Sequence, residues 1–253
     1  MQTERLKNAI VSSRQYSNCL YHFDKNPNRI LDALNSRGFT LNYVVEQFSF
    51  LNAKGLSTVA FPMICFCDII GETSRLEPHM RLYGKCGIGM TKEWGRKHGV
   101  QPIHYIQPTS PFSQDLRQAI DAASSLNLVA VETSAEASIL SDFLITTLAF
   151  TKPLWGINDG TDYCFEDECE WRFIPTDLPP ELPRFIPRPG SDQLDNYKRT
   201  LWLPDTYLLR FTYEDISDIF VGEAGAQVFC DAINELDATT REKDLLKTKI
   251  REA

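Results

Sequence analysis

The chain has 253 residues, of which 43% are apolar and 24% are charged, an ordinary composition for a globular protein with a substantial core. Its formal net charge of −8 and its isoelectric point near 5.1 argue against general nucleic-acid binding. The N-terminus lacks an apolar signal region, and no stretch approaches the roughly 20 apolar residues that span a bilayer, so we expect a cytoplasmic protein without membrane segments.

The first predicted elements are a helix, a strand and a second helix. Residues 3–18 have a weak helical rhythm, and "CLYHF" follows as a short strand with His22 in it. "DKNPNRILDALNSRGF" predicts a helix that Asp24 or Asn26 caps and that Gly38 ends. His22 is interpreted either as a satisfied core histidine or as part of a polar site at the strand end.

The next strand is the most apolar run in the chain, "VAFPMICFCDI". Asp68 follows it, either as a turn residue or as a member of a site. Cys65 and Cys67 belong to this run, in a chain with seven cysteines and no export signal, which predicts reduced thiols. The other cysteines are too scattered to complete a metal site, so no metal is predicted.

A helix, a strand and a helical turn come next. Ser74 is a candidate cap for a helix that ends near Tyr83, before Gly84. His79 and Tyr83, four residues apart, would share a helix face and could line a common pocket, although Tyr83 could equally pack into the core. "CGIGM" predicts a strand whose glycines allow close backbone approach, and "TKEWGRKHG" predicts a helical turn that Thr91 opens and Gly99 closes.

The second half of the chain begins with a short strand, "QPIHYIQP". Residues 113–150 predict two helices, with Ser113 as a cap and a break between Asn127 and Ser134. Residues 158–160 predict a turn before one or two strands. Residues 175–205 are rich in proline and predict a mostly extended surface segment.

The last predicted elements are two strands in "TYLLRFTYEDISDIFVGEAG", followed by an amphipathic helix over residues 226–253. Because strands and helices alternate without a regular βαβ rhythm, we predict an α+β fold. It would consist of a single domain, residues 1–253, with a mixed and mostly antiparallel sheet and flanking helices.

The segment "EDECEWRFIP" carries an unusual acid pair beside apolar residues. On a strand, Glu168 and Glu170 would point the same way, with Arg172 next on that face. Like charges so close need a cation between them. One interpretation is an edge strand with exposed ion pairs of small energetic value. The other is a glutamate held over a cleft, where it orients a sugar hydroxyl or stabilises an oxocarbenium-like transition state.

The motifs "YHF...ILDALNSRGF", "MICFCDI", "HMRLYGKCGIGMTKEW", "PIHYI" and "ECEWRFIP" resemble, in that order, the AbiGi family of bacterial abortive phage-infection proteins. That resemblance implies the antitoxin half of a two-gene system, which acts with a cognate toxin or another defence protein. An acidic surface would suit a basic, nucleotide-handling partner. The oligomeric state is not indicated.

The layout also resembles, more distantly, ADP-ribosyltransferases of the His-Tyr-Glu type. That resemblance implies that His22 binds a ribose, Tyr83 stacks on nicotinamide and Glu170 stabilises the transition state, with NAD as substrate rather than as a bound cofactor. His79, Arg172, Glu168 and Asp68 would then bind substrate. Two hypotheses therefore stand: a partner-binding component of phage defence, or an NAD-consuming enzyme.

Overall fold

The structure, a computed structural model, describes residues 17–69, 73–125, 135–158, 160–202 and 207–252. The elements in chain order are β1 (Cys19–Asp24), α1 (Pro27–Ser36), β2 (Gly38–Thr40), β3 (Asn42–Gln47), a 3-10 turn (Ser49–Leu51), β4 (Thr58–Cys67), α2 (Thr73–Tyr83), β5 (Cys86–Thr91), α3 (Lys92–Lys97), β6 (Gln101–Pro102), β7 (His104–Ile106), α4 (Pro111–Ser125), α5 (Ala135–Ala149), β8 (Thr151–Pro153), β9 (Trp155–Asn158), β10 (Thr161–Cys164), a 3-10 turn (Phe165–Glu168), β11 (Glu170–Phe173), β12 (Ile186–Pro187), α6 (Ser191–Leu201), β13 (Leu208–Arg210), β14 (Ile216–Val221), a 3-10 turn (Gly222–Ala224), α7 (Gly225–Glu235), α8 (Thr240–Thr248) and β15 (Ile250–Arg251).

The chain packs into two compact units. Unit one comprises Met1–Gly38, Phe66–Gly99 and Arg210–Ala253, and unit two comprises Phe39–Cys65 and Val100–Leu209. The predicted α+β class with a mostly antiparallel sheet is confirmed, because β14–β15 and β7–β8 are parallel while the other strand pairs with a described register are antiparallel. The single-domain organisation stays a prediction.

In unit one, β5 lies between β1 and β14, antiparallel to both. The predicted close approach at "CGIGM" is confirmed: a Cβ added at Gly87 would lie 2.5 Å from the Phe23 ring, and one at Gly89 would lie 2.7 Å from the Tyr21 ring. Those two rings and the ring of Phe220 form an aromatic cluster. Leu76 and Met80 of α2 pack against it, so α2 covers this face of the strands.

In unit two, β4 is the central strand, paired with β3 from Asn42↔Met63 to Gln47↔Thr58 and with β12 at Ile186↔Ala60. β11 follows β4 in the strand order, and β6 lies on the other side of β11. Helices α4 and α5 bury Leu116, Ile120, Leu144 and Leu148 against residues of β4 that include Phe61. This packing brings the end of α5 close to β11.

Several predicted helix caps in the first half of the chain are confirmed. The side chain of Asn26 accepts from the backbone N–H of Asn28 at 3.0 Å, and Pro27 is the first residue of α1. Thr91 caps α3 in the same way, and Gly99 follows that helix with φ +72°. Gly84, with φ +120°, ends α2 as predicted, and its position tolerates no side chain because a Cβ would lie 2.2 Å from the backbone of Asp24.

Two predicted helix boundaries are wrong. Arg37, not Gly38, adopts the left-handed conformation that ends α1, and its backbone N–H donates to the carbonyls of Ala33 and Leu34. Its guanidinium pairs with Glu242 of α8 at 2.9 Å. Ser113 lies inside α4. The residue before the helix is Ser110, whose hydroxyl accepts from the Ser113 N–H at 3.2 Å.

The C-terminal segments contain more regular structure than predicted. Residues 175–205 include a helix that the sequence analysis did not predict, because α6 occupies Ser191–Leu201 and buries Leu201. The tail predicted as one helix consists of α7, α8 and β15, and Ile250 of β15 pairs with Ile219. The predicted N-terminal helix through residue 16, the helix break at 127–134 and the centre of the turn at 158–160 lie outside the described residues.

Candidate functional site

The acid pair belongs to a buried group of five charged side chains in unit two, which we call the ion cluster: Glu46, Lys152, Glu168, Glu170 and Arg172. Glu170 and Arg172 share one face of β11, as the sequence predicts, and both are buried. The predicted strand geometry is wrong for Glu168, which lies in the 3-10 turn Phe165–Glu168. Cys169 follows with φ +46°, and the left-handed residue redirects the chain between the two glutamates.

Arg172 is the centre of the ion cluster, with 0% of its side chain exposed. Its Nε donates to Glu170 Oε1 at 2.7 Å and its Nη2 to Glu170 Oε2 at 3.1 Å, a two-point contact with one carboxylate. Nη2 also donates to Glu46 Oε1 at 2.5 Å, and Nη1 donates to the carbonyl of Ala149 at 2.7 Å. The guanidinium thereby joins β3, β11 and the last residue of α5.

Lys152 is the second cation, and it brings both glutamates of the acid pair to one point. Its Nζ donates to Glu168 Oε2 at 2.6 Å and to Glu170 Oε2 at 3.1 Å, and it lies 4.9 Å from the centre of the Phe165 ring. The hydroxyl of Tyr105 accepts from the backbone N–H of Glu170 at 2.7 Å. β8, which carries Lys152, is parallel to β7, which carries Tyr105.

The electrostatics favour a charged Glu170. Burial raises its pKa, but the charges of Arg172 and Lys152 outweigh that effect and lower the pKa to about 2. Burial raises the pKa of Glu46, and Arg172 offsets only part of the increase. With every member ionised the ion cluster would hold three carboxylates and two cations, so a proton on Glu46 would make it neutral.

The exposed edge-strand interpretation of the acid pair is therefore wrong. β11 lies between β4 and β6, and Arg172 is inaccessible to solvent. Both oxygens of Glu170 already accept from cations, and burial together with the Glu170 carboxylate raises the pKa of the nearby Cys65 thiol. Such an arrangement is suited to fixing β3, β8, β11 and α5 relative to one another inside unit two.

The remaining predicted site residues lie in unit one. His22 is half-buried in β1, opposite Ile88, and its ring centre is 5.8 Å from that of Phe66. His79 and Tyr83 share a face of α2 as predicted, with ring centres 6.2 Å apart, but His79 is buried and Tyr83 is exposed. Asp68 is buried and accepts from Lys92 Nζ at 2.5 Å and from the backbone N–H of Ser17 at 3.1 Å.

Tyr83 borders an open depression of about 500 Å³ on unit one. Its walls come from the end of β1, the start of α1 and the end of α2, and they include Asp24 and Arg29, which pair at 3.2 Å. His22 and His79 are not among its lining residues. The proposed catalytic set is thus distributed over both units, with His22 and Tyr83 in unit one and Glu170 in unit two.

Sequence reasoning missed Glu46, Lys152, Tyr105 and Lys92. Glu46 was detectable as a single carboxylate within the apolar stretch "NYVVEQF", and Lys152 as a single cation directly after an apolar helix. Within the described residues, no group of three or more His, Cys, Asp or Glu side chains is placed to hold a metal ion. All seven cysteines lie in that part of the chain, and all are free thiols.

The fold and the ion cluster together define an α+β protein in which Glu170, the glutamate predicted to be catalytic, belongs to the buried ion cluster. Over residues 37–222 the chain matches the model of a family described as "Putative abortive phage resistance protein AbiGi, antitoxin". It is 32% identical over 204 residues to "Abortive phage resistance protein AbiGi" of Lactococcus lactis subsp. cremoris, an alignment that covers 72% of this chain and 82% of that protein.

The chain therefore belongs to the AbiGi family and is a component of a bacterial anti-phage abortive-infection system. The resemblance seen in the sequence motifs is confirmed. No solved structure matches the chain significantly, and the likeness to ADP-ribosyltransferases has no support from these comparisons. Among the described residues, no helix has the length and apolar content that crossing a membrane requires.

Proposed function

We propose that this chain is the antitoxin of a two-gene abortive-infection system and that it restrains a toxin protein made in the same cytoplasm. The observation that carries the proposal is the match, over residues 37–222, to a family described as an antitoxin. The ion cluster supports it, because the glutamate that an enzyme would need is held by Arg172 and Lys152.

The acidic character of the chain also supports a protein partner of opposite charge. A net charge of −8 would speed association with a basic partner and would disfavour association with like-charged proteins. NAD consumption by His22, Tyr83 and Glu170 is the weaker hypothesis. It needs an available Glu170 carboxylate, and both oxygens of that group contact cations.

The test is growth of cells that express the product of the neighbouring toxin gene, alone or together with this chain. The toxin alone should arrest growth, and co-expression should restore it. Expression of this chain alone should leave growth unchanged, since an antitoxin is harmless to its host. Growth arrest by this chain alone, or arrest by the toxin that persists at equal expression of both proteins, would refute the proposal.

An independent measurement separates the two hypotheses at Glu170. In the antitoxin hypothesis, Glu170→Gln reduces protection only as far as it reduces stability, and Tyr83→Ala leaves protection intact because Tyr83 is exposed. In the enzyme hypothesis, both variants lose activity while the protein stays folded. Incubation of the purified protein with labelled NAD should release no nicotinamide.

A further inference from the structure

The hairpin of β9 and β10 exposes its large apolar side chains and turns its glycine inward. Trp155 is 56% exposed and Ile157 is 73% exposed, and residues two apart lie on one face of a strand. Gly156 lies on the opposite face, where an added Cβ would be 2.7 Å from the Phe165 ring. The ring of Tyr163, the cross-strand partner of Gly156, packs edge-on against the same ring. The outer face of the hairpin is therefore the apolar one, the reverse of the usual alternation.

The outer face also carries negative charge. Asp162 is the direct cross-strand partner of Ile157 and shares its side of the hairpin, so we call Trp155, Ile157 and Asp162 the hairpin face. Asp162 is exposed, and so are Glu166 and Asp167 in the 3-10 turn that follows β10. In the part of the chain that the structure describes, none of these three carboxylates lies in an ion pair. Exposed apolar surface and unpaired carboxylates thus occur together.

The surrounding segment supplies no cation to neutralise these carboxylates. Residues 153–183 contain eight aspartates and glutamates but a single lysine or arginine, Arg172. Arg172 is inaccessible to solvent. Lys152, directly before the segment, pairs with Glu168 and Glu170 in the ion cluster. The negative charge beside the hairpin face is therefore local and does not depend on the net charge of the whole chain.

The chemistry of the hairpin face favours a basic polypeptide as its occupant. Arginine and lysine side chains bind across the face of a tryptophan ring and also pair with carboxylates, so one basic segment engages both features. The phosphates of lipid or nucleic acid would be repelled. A symmetric contact with a second copy would bring two Asp162 carboxylates together. A metal ion is disfavoured, because among the described residues no group of three or more His, Cys, Asp or Glu side chains is placed to hold one.

We propose that the hairpin face binds a basic segment of the cognate toxin, with one cationic side chain against the Trp155 ring and a neighbouring one paired with Asp162. The proposal rests on the antitoxin function proposed above and adds the surface and the chemistry of the contact. Trp155 is expected to be the anchor, because tryptophan is enriched among the residues that contribute most to binding at interfaces. The carboxylates are expected to speed association and to make it depend on salt.

The first experiment tests the ring with the purified full chain and the purified product of the neighbouring toxin gene. Trp155→Thr removes the ring but keeps a residue that strands favour, and it should weaken binding on the order of 30-fold or more. Val228→Thr is the matched control and should bind like the wild type, because Val228 is 50% exposed on helix α7 of unit one.

A charge reversal tests the carboxylates separately from the ring. Asp162→Lys should weaken binding on the order of 10-fold or more, and its binding should depend less on salt than that of the wild type. Glu235→Lys is the matched control, because Glu235 is exposed at the end of α7 and the variant changes the net charge equally. It should bind nearly as well as the wild type. Equal losses in the two variants would assign the effect to net charge and refute the proposal.

Thermal melts and growth assays of every variant accompany the binding data. The substituted positions are exposed, so all variants should melt within about 3 °C of the wild type. Ile157→Thr, at the more exposed position, gives the same test if Trp155→Thr unfolds. If the wild type restores growth in the presence of toxin and the hairpin-face variants bind and restore growth equally well, the docking surface is refuted while the antitoxin function stands. If the wild type does not restore growth, the antitoxin function is refuted and the docking proposal with it.

Light scattering separates the toxin from a second copy of the chain as the occupant of the hairpin face. The chain alone should be monomeric, because two copies of the face repel each other through Asp162. A dimer that Trp155→Thr dissociates would assign the hairpin face to a second copy and overturn the proposal.

Discussion

Replacing Arg172 with methionine tests the role of the ion cluster most directly. The substitution keeps an unbranched side chain of similar reach and removes the charge. It deletes both contacts to Glu170, the contact to Glu46 and the contact to the carbonyl of Ala149, at 2.7, 3.1, 2.5 and 2.7 Å respectively. Glu170 would keep Lys152, and Glu46 would be left buried without its guanidinium partner.

The expected loss is about 3 to 5 kcal/mol of unfolding free energy, because a buried ion pair broken on one side leaves an uncompensated charge. Natural proteins have unfolding free energies of about 5 to 15 kcal/mol. The variant would therefore still fold if the wild type has an unfolding free energy above about 5 kcal/mol. For a chain of this length, the loss corresponds to a decrease in Tm of roughly 6 to 20 °C.

Urea unfolding followed by tryptophan fluorescence and by circular dichroism measures this loss. The matched control is Arg81→Met, which breaks a pair with Glu77 whose side chains are 75% and 66% exposed, and its cost should stay below about 1 kcal/mol. A loss of less than about 1 kcal/mol for Arg172→Met would refute the reasoning that a buried guanidinium stabilises this unit.

Three further predictions concern acid stability, a glycine and a thiol. The pKa of Glu170 is lowered from 4.5 to about 2 in the folded protein, so the ionised carboxylate stabilises the fold by about 3 kcal/mol above pH 4.5, and this contribution is lost as the pH falls toward 2. Glu170→Gln should therefore flatten that part of a plot of unfolding free energy against pH. Gly84→Ala should lower the unfolding free energy by about 2 kcal/mol or more in the same urea assay, because Gly84 has φ +120° and an added Cβ would overlap the Asp24 backbone. Gly190→Ala is the control and should cause no such loss, because the space around Gly190 is open. Cys65 should react with iodoacetamide at pH 8 far more slowly in the native protein than after denaturation, as peptide mass spectrometry would show, because its pKa is raised; equal rates would contradict this.

Several elements followed from local sequence alone. Asn26 and Pro27 begin α1, Thr91 begins α3, and the apolar run "VAFPMICFCDI" supplies most of β4, because capping and burial patterns act over a few neighbouring residues. The glycines of "CGIGM" indicated close approach without indicating which rings would lie there. The common face of Glu170 and Arg172 also followed from the two-residue period of a strand.

The sequence by itself determined the α+β class, most of the short elements, the reduced thiols and, through its motifs, the AbiGi family. Only the tertiary structure decided that Arg172 would meet Glu46, 126 positions away, and that Lys152 would join the two glutamates. Local patterns specify a backbone through interactions among neighbours. The pairing of buried charges depends on which distant segments fold together, because a charge taken out of water is stable only beside its counterion.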